Sequence, residues 1–179
     1  MKTIQLFSLI FCFSFFGHAQ NDSSSIFSRR QEVKIGIVKL LAGPIFEGTY
    51  EYIPDRNIGY GASLLFNFNT SNDYFENFSI SPFFRMYFQK DEQFGAKGFF
   101  VEAFTSFYTG KEDSDTLFGA DRNNNDSFFE TAFGFSFGKK WINLKGFVFE
   151  AKLGFGRNLL GNSSIDAIIK GDLYVGYRF

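Results

Sequence analysis

The chain has 179 residues, 18 basic and 19 acidic side chains and a formal net charge of −1, so no basic excess points to nucleic acid. Aromatic residues make up 21% of it, with 29 phenylalanines, yet its mean hydropathy is only −0.09. Beyond the first 20 residues no run approaches the ~18 consecutive apolar residues of a membrane helix.

The first element is read as a secretory signal peptide over residues 1–19. Lys2 supplies the charge, Ile4 to Phe16 the apolar core, and Gly17-His18-Ala19 small residues for cleavage before Gln20. Leu9-Ile10-Phe11 ahead of Cys12 does not form a lipoprotein cleavage box, so no lipid anchor is expected. Cleavage removes Cys12 and His18, the single cysteine and the single histidine. Disulfides, thiolate nucleophiles, Ser-His-Asp triads and His-bearing zinc sites are thereby excluded, and neither a metal nor a cofactor is expected. A polar lead, residues 20–31, follows. Residues 32–179 are expected to form the folded domain.

From there the apolar residues recur at every second position, which is the period of a half-buried strand. Eight segments are predicted: Glu32–Leu41, Ile45–Ile53, Ile58–Phe68, Phe78–Phe88, Gly98–Tyr108, Phe128–Gly138, Gly146–Gly156 and Ala167–Phe179. In the fourth, Phe78, Ile80, Pro82, Phe84, Met86 and Phe88 share one face, opposite Ser79, Ser81, Phe83, Arg85 and Tyr87. Segments of ten or eleven residues match a tilted strand crossing an apolar band about 25 Å tall. The fold class expected is therefore all-β: an eight-stranded antiparallel up-and-down transmembrane β-barrel. The longest connection, Thr109–Ser127, falls on the outer side, whereas Ala42–Pro44 makes an unusually short outer connection. A soluble barrel would reverse the faces. The polar face here is rich in Gly, Ser and Ala, which suits a cramped lumen better than a solvated exterior.

Ten charged residues fall on the inward face by parity: Lys34, Glu47, Glu51, Arg85, Glu102, Glu130, Glu150, Lys152, Asp172 and Arg178. An eight-stranded barrel is just wide enough for side chains to fill it, and buried charges must pair. Lys34, Glu51, Arg85, Glu102, Glu130, Glu150, Lys152 and Arg178 are therefore expected to form an interior polar network. Arg85 is expected opposite Glu102, and Lys34 close to Glu51. Gly59, Gly61 and Gly134 are expected to leave room for these long side chains. Acid-base catalysis by such carboxylates needs a cleft that a filled barrel does not offer. In the longest connection, Asp121 to Asp126 partly matches a calcium loop. The pattern wants Gly where Asp126 stands and Glu where Ala132 stands, so a solvated loop is the better reading. Phe118 in this connection is read as a contact residue or as packing on the rim.

The last segment places Leu173, Val175, Tyr177 and Phe179 on alternate positions up to the final residue. These four are expected to be the element that a barrel-assembly machinery reads by strand addition.

Several fragments carry a resemblance to a known family. They are Glu32-Val33-Lys34-Ile35, Ile80-Ser81-Pro82-Phe83-Phe84-Arg85, Gly98-Phe99-Phe100-Val101-Glu102, Gly138-Lys139-Lys140-Trp141, Gly146-Phe147-Val148-Phe149-Glu150, Gly154-Phe155-Gly156-Arg157-Asn158 and Gly176-Tyr177-Arg178-Phe179. Together they resemble small eight-stranded outer-membrane barrels of the OmpA/OmpX type, and more closely an outer-membrane barrel domain family of unknown function. The resemblance implies the fold, an outer-membrane location, contact with membrane lipid and passage through the assembly machinery. It implies no activity. Three functions stay open: a structural or surface-interaction barrel acting through its outer loops, an outer-membrane enzyme using carboxylates on lipid or peptide, and a small pore.

Overall fold

The structure is a computed structural model, and it describes residue 26 and residues 28–68, 74–88, 95–111, 127–162 and 166–179. The expected signal peptide, most of the polar lead, Phe118 and the run Asp121 to Asp126 lie outside the described residues.

Eight strands form a closed antiparallel barrel in sequence order: β1 (Gln31–Gly36), β2 (Ile45–Asp55), β3 (Ile58–Asn67), β4 (Phe78–Phe88), β5 (Gly98–Lys111), β6 (Ser127–Ile142), β7 (Phe147–Asn158) and β8 (Ala167–Arg178). Each pairs with its neighbour in the chain, and β1 pairs with β8 to close the wall, so no edge strand is left. At the seam Phe179 N donates to Gln31 O (2.8 Å) and Gln31 N to Phe179 O (3.2 Å), which carries the ladder past the end of β8. We call the end holding this seam and the short turns 56–57 and 143–146 the terminal end, and the opposite end the loop end.

Alternation decides which side each residue takes. β4 runs strictly exposed-buried along all 11 residues, with Phe78, Ile80, Pro82, Phe84, Met86 and Phe88 outward. The outer wall is apolar: Phe135, Phe137 and Phe155 are each more than half exposed. The lumen holds the charges, with Lys34, Arg85 and Lys140 fully buried. No helix among the described residues is long and apolar enough to cross a membrane, which says nothing of strands.

Two element bounds correct the sequence reading. The expected first strand, Glu32–Leu41, stops at Gly36, and the chain turns into a short helix, α1 (Val38–Ala42). The cause is distant in sequence. The carboxylate of Asp172 accepts from Val38 N (2.8 Å) and Lys39 N (3.2 Å), satisfying backbone donors that the helix itself leaves free. The first connection at the loop end is therefore a folded cap and not a tight turn. The second correction is in β6, which runs to Ile142 and not to Gly138, leaving only residues 143–146 for the turn. There Asn143 Oδ1 accepts from Lys145 N (3.0 Å) and Phe147 N (2.9 Å) and closes the hairpin.

Inside, aromatic rings fill the layers between charges. Phe83, Phe104, Tyr108, Ala132 and Ile168 make one cluster, and Ile53, Tyr87, Ala96 and Phe100 another nearer the terminal end. Ile26, from the expected polar lead, is buried against Ile142 and Val148. Glycines give these rings their seats. A Cβ on Gly134 would stand 2.6 Å from Phe104 Cζ, and one on Gly61 would stand 2.9 Å from Phe83 Cζ. Gly59 alone of the three expected positions clears space for a charge, the Glu51 carboxylate.

Candidate functional site: a charged seal in the lumen

Seven of the eight strands, all but β3, send side chains into one ion-pair network in the terminal half of the lumen. Register sets its centre: Arg85 on β4 stands directly across from Glu102 on β5. Arg85 Nε donates to Glu102 Oε2 (2.7 Å), Nη1 to Glu51 Oε2 (2.9 Å) and Glu150 Oε2 (2.8 Å), and Nη2 to Glu150 Oε1 (3.0 Å). The guanidinium is also sandwiched by rings, 4.1 Å from the Phe100 centroid and 4.8 Å from that of Phe83. Three carboxylates on three strands are thus tied by one planar, always-charged group, which suits Arg and not Lys.

Lysines share these carboxylates with Arg85 and extend the network to Glu32. Lys34 Nζ lies 2.7 Å from both Glu51 Oε2 and Glu150 Oε2. Lys140 Nζ donates to Glu32 Oε2 (2.6 Å), Glu51 Oε2 (2.8 Å) and the Tyr87 hydroxyl (2.5 Å), while Tyr87 donates to Glu51 Oε1. Lys152 meets Glu102 Oε1 at 3.2 Å. Arg178 closes the floor. Its Nε donates to Glu32 Oε1 (2.6 Å), and Nη1 and Nη2 donate to the carbonyls of Gly95 (2.7 Å) and Ala96 (3.0 Å), pinning the β4–β5 connection beneath the lumen.

Glu32 and Lys140 also belong to this network, beyond the residues expected from the sequence. Both were findable. Glu32 shares parity with Lys34. Lys140 continues the inward series Ser136, Gly138 of β6 and is missed only if the strand is ended at Gly138. Glu130, expected in the network, faces inward at the loop end instead. Its carboxylate accepts from Leu160 N and Asn162 N, each at 2.8 Å, and so fastens the chain that follows β7.

The loop half of the lumen is built differently. Thr49 and Ser63 share a hydrogen bond of 2.9 Å, Ser81 donates to Ser106 at 2.9 Å, and Lys170 reaches Ser81 Oγ at 3.0 Å and Glu76 Oε1 at 3.2 Å. A cavity of about 10 Å³ lies here against Ser136, Lys152 and Lys170, about the size that holds one water. Above it Lys39 of α1 pairs with Glu47, whose other oxygen accepts from Tyr174 (2.9 Å). Burial works against the charge of Lys39, but Glu47 beside it outweighs that cost and raises its pKa above the ordinary lysine range.

Chemically, the arrangement saturates its own groups. Each carboxylate at the centre is held by two or more cations or hydroxyls, and Glu32, Glu51, Glu102 and Glu150 are all buried. No group of three or more His, Cys, Asp or Glu among the described residues is placed to hold a metal ion.

No protein-family model and no curated protein matches the sequence. Among solved structures, the chain is similar to the N-terminal β-barrel domain of Pseudomonas aeruginosa OprF, with a TM-score of 0.59 and 14% identity over 84% of this chain and 98% of that one. At that identity the likeness is one of fold: this chain is built, as that OmpA-type domain is, as a closed eight-stranded barrel.

Proposed function

We propose that the chain is an integral outer-membrane β-barrel, exported by a cleaved signal peptide over residues 1–19, that acts structurally or through its loop end. The observation that carries this reading is the inversion of the faces. Large apolar side chains such as Phe99 (62%) and Phe147 (60%) are exposed around the wall, while twelve charged residues among the described ones are buried. A water-soluble barrel with that wall would expose a continuous apolar patch far larger than monomers tolerate. The plugged lumen favours this reading over a pore, and the saturated carboxylates favour it over an acid-base enzyme.

The outward residues Leu173, Val175, Tyr177 and Phe179 on the closing strand are the element offered to the assembly machinery. Phe179→Asp is expected to slow insertion while leaving the unfolding rate of inserted barrel unchanged; insertion at the wild-type rate would refute that role. The location itself is tested by fractionation with gel mobility before and after boiling. A membrane-bound, heat-modifiable band is expected. Recovery as a soluble protein would overturn the reading.

A further inference from the structure

On the terminal half of the outer wall, among the described residues, one charged side chain projects between apolar neighbours. It is Lys139 on β6. Two of its neighbours are aromatic: Nζ lies 4.8 Å from the Phe99 ring centroid and 5.3 Å from that of Trp141. Two further cations stand at the rim of the same sector. Lys145 is exposed in the β6–β7 turn, beside Leu144, which is 78% exposed. Arg29 is held there by the Lys145 carbonyl (3.3 Å) and the Tyr177 hydroxyl (3.2 Å). None of the three meets a side-chain carboxylate among the described residues, since Glu32 and Glu150 on the neighbouring strands point into the lumen.

The wall beside Lys139 is dented. Across the sheet Lys139 pairs with Ala151 and Ala151 with Leu173, while Leu153 pairs with Gly171. Small residues at 151 and 171 interrupt a wall otherwise made of Phe, Leu and Val. They open a groove of about 810 Å³, walled by Phe99, Phe137 and Leu173 and bordered by Lys139. Gly171 keeps the floor flat, because a Cβ there would stand 2.7 Å from the Lys152 carbonyl oxygen. The other two lysines that border the groove, Lys39 and Lys152, are turned onto Glu47 and Glu102, so the lysine left without a carboxylate there among the described residues is Lys139, and an apolar trough with one such cation matches an amphiphile with an acyl chain and an anionic head.

We propose that this sector of β6–β8 is a binding site for an anionic phospholipid. The phosphate sits on Lys139 with Lys145 and Arg29 at the rim, and an acyl chain lies in the groove over Ala151 and Gly171. The proposal rests on the reading of the wall as membrane-spanning. Cations beside an aromatic girdle stabilise an anionic headgroup where the local dielectric is low, and a ring on either side holds the ammonium at headgroup depth.

Trp141 is the only tryptophan in the chain, so its fluorescence reports this site alone. The full barrel is reconstituted in phosphatidylcholine vesicles containing either brominated phosphatidylglycerol or brominated phosphatidylcholine of the same chain length. The expected result is quenching by both lipids, with phosphatidylglycerol occupying the site about fivefold more strongly, the worth of one basic residue at an anionic surface. Lys139→Gln should abolish most of that preference. Ala151→Leu, which fills the groove and keeps every charge, should weaken it. Equal quenching of wild type by the two lipids overturns the proposal and leaves the membrane reading standing, and it decides the matter even if Lys139→Gln fails to fold. A preference that survives both substitutions places the lipid elsewhere and also overturns it. Quenching by neither lipid overturns the membrane reading and the site with it.

Discussion

The two halves of the lumen solve one problem in different ways. Toward the terminal end the space is filled by long charged side chains that neutralise one another, centred on Arg85. Toward the loop end it is filled by rings, hydroxyls and separate ion pairs, with Ser81–Ser106 and Thr49–Ser63 as paired hydrogen bonds, Lys170–Glu76 and Lys39–Glu47 as isolated pairs and a small void between layers. The first arrangement is all-or-nothing. Each member sits in low dielectric and is tolerable only while its partners are present. The second is modular, because a lost hydroxyl leaves a neighbour or two short of a bond and no charge without its partner: at Ser81 these are Ser106 and Lys170, and Lys170 keeps Glu76. Tolerance to substitution should therefore change along the barrel axis, from intolerant at the terminal half to permissive at the loop half.

The largest effect is expected at Arg85. Arg85→Met removes the group that holds Glu51, Glu102 and Glu150 together, and should cost about 3–5 kcal/mol in the urea unfolding of the inserted barrel. A cost below about 1 kcal/mol would mean that the lysines alone neutralise the network. Gly59→Ala attacks the same half by shape and not by charge. The new Cβ collides with the Glu51 carboxylate. A loss of about 1–3 kcal/mol is expected, with the midpoint shifted and the slope of the unfolding curve unchanged.

In the loop half Ser81→Ala should cost only about 1 kcal/mol, the ordinary worth of a hydrogen bond. Ser81→Ala and Arg85→Met of similar size would erase the contrast between the halves. A similarly small effect is expected at the cap. Lys39→Met breaks the pair with Glu47 above the lumen and should cost about 1 kcal/mol, because Tyr174 still donates to the Glu47 carboxylate. Its pH dependence has a definite sign. The folded-state pKa of Lys39 is raised, so its contribution is complete at neutral pH and fades only as pH climbs above the ordinary lysine value of about 10.4 and through the folded value. Wild type and Lys39→Met should converge in stability in that alkaline window and stay apart below it.

The sequence carried the barrel because the two environments differ so sharply. Lipid-facing and lumen-facing positions alternate, and β4 could be assigned residue by residue from Phe78 to Phe88. The pairing of Arg85 with Glu102 was accessible because a hairpin fixes register when its connection is symmetric. What was not legible depended on contacts distant in sequence. Val38-Lys39-Leu40-Leu41 continues a strand-like pattern, and only Asp172, some 130 residues away by chain order, turns it into α1. Lys140 was hidden by local chemistry: Gly138-Lys139-Lys140 reads as a turn, whereas the ladder to β7 carries it on as strand, with Lys140 opposite Glu150. Gly61 and Gly134 were read as space for charges, and the structure gives that space to Phe83 and Phe104. Composition can announce that room is needed inside a barrel; it cannot say for which side chain.

The central claim is that the wall faces lipid and the lumen is closed. Spin labels placed singly at Phe133, Ser136, Phe135 and Phe137 on β6, with the barrel in vesicles, test both parts in one accessibility measurement. The account predicts that labels at 133, 135 and 137 collide with oxygen and are shielded from a polar nickel complex, while the label at 136 is shielded from both. Nickel access at the three outward positions would contradict the membrane-facing wall, and nickel access at Ser136 would contradict the closed lumen.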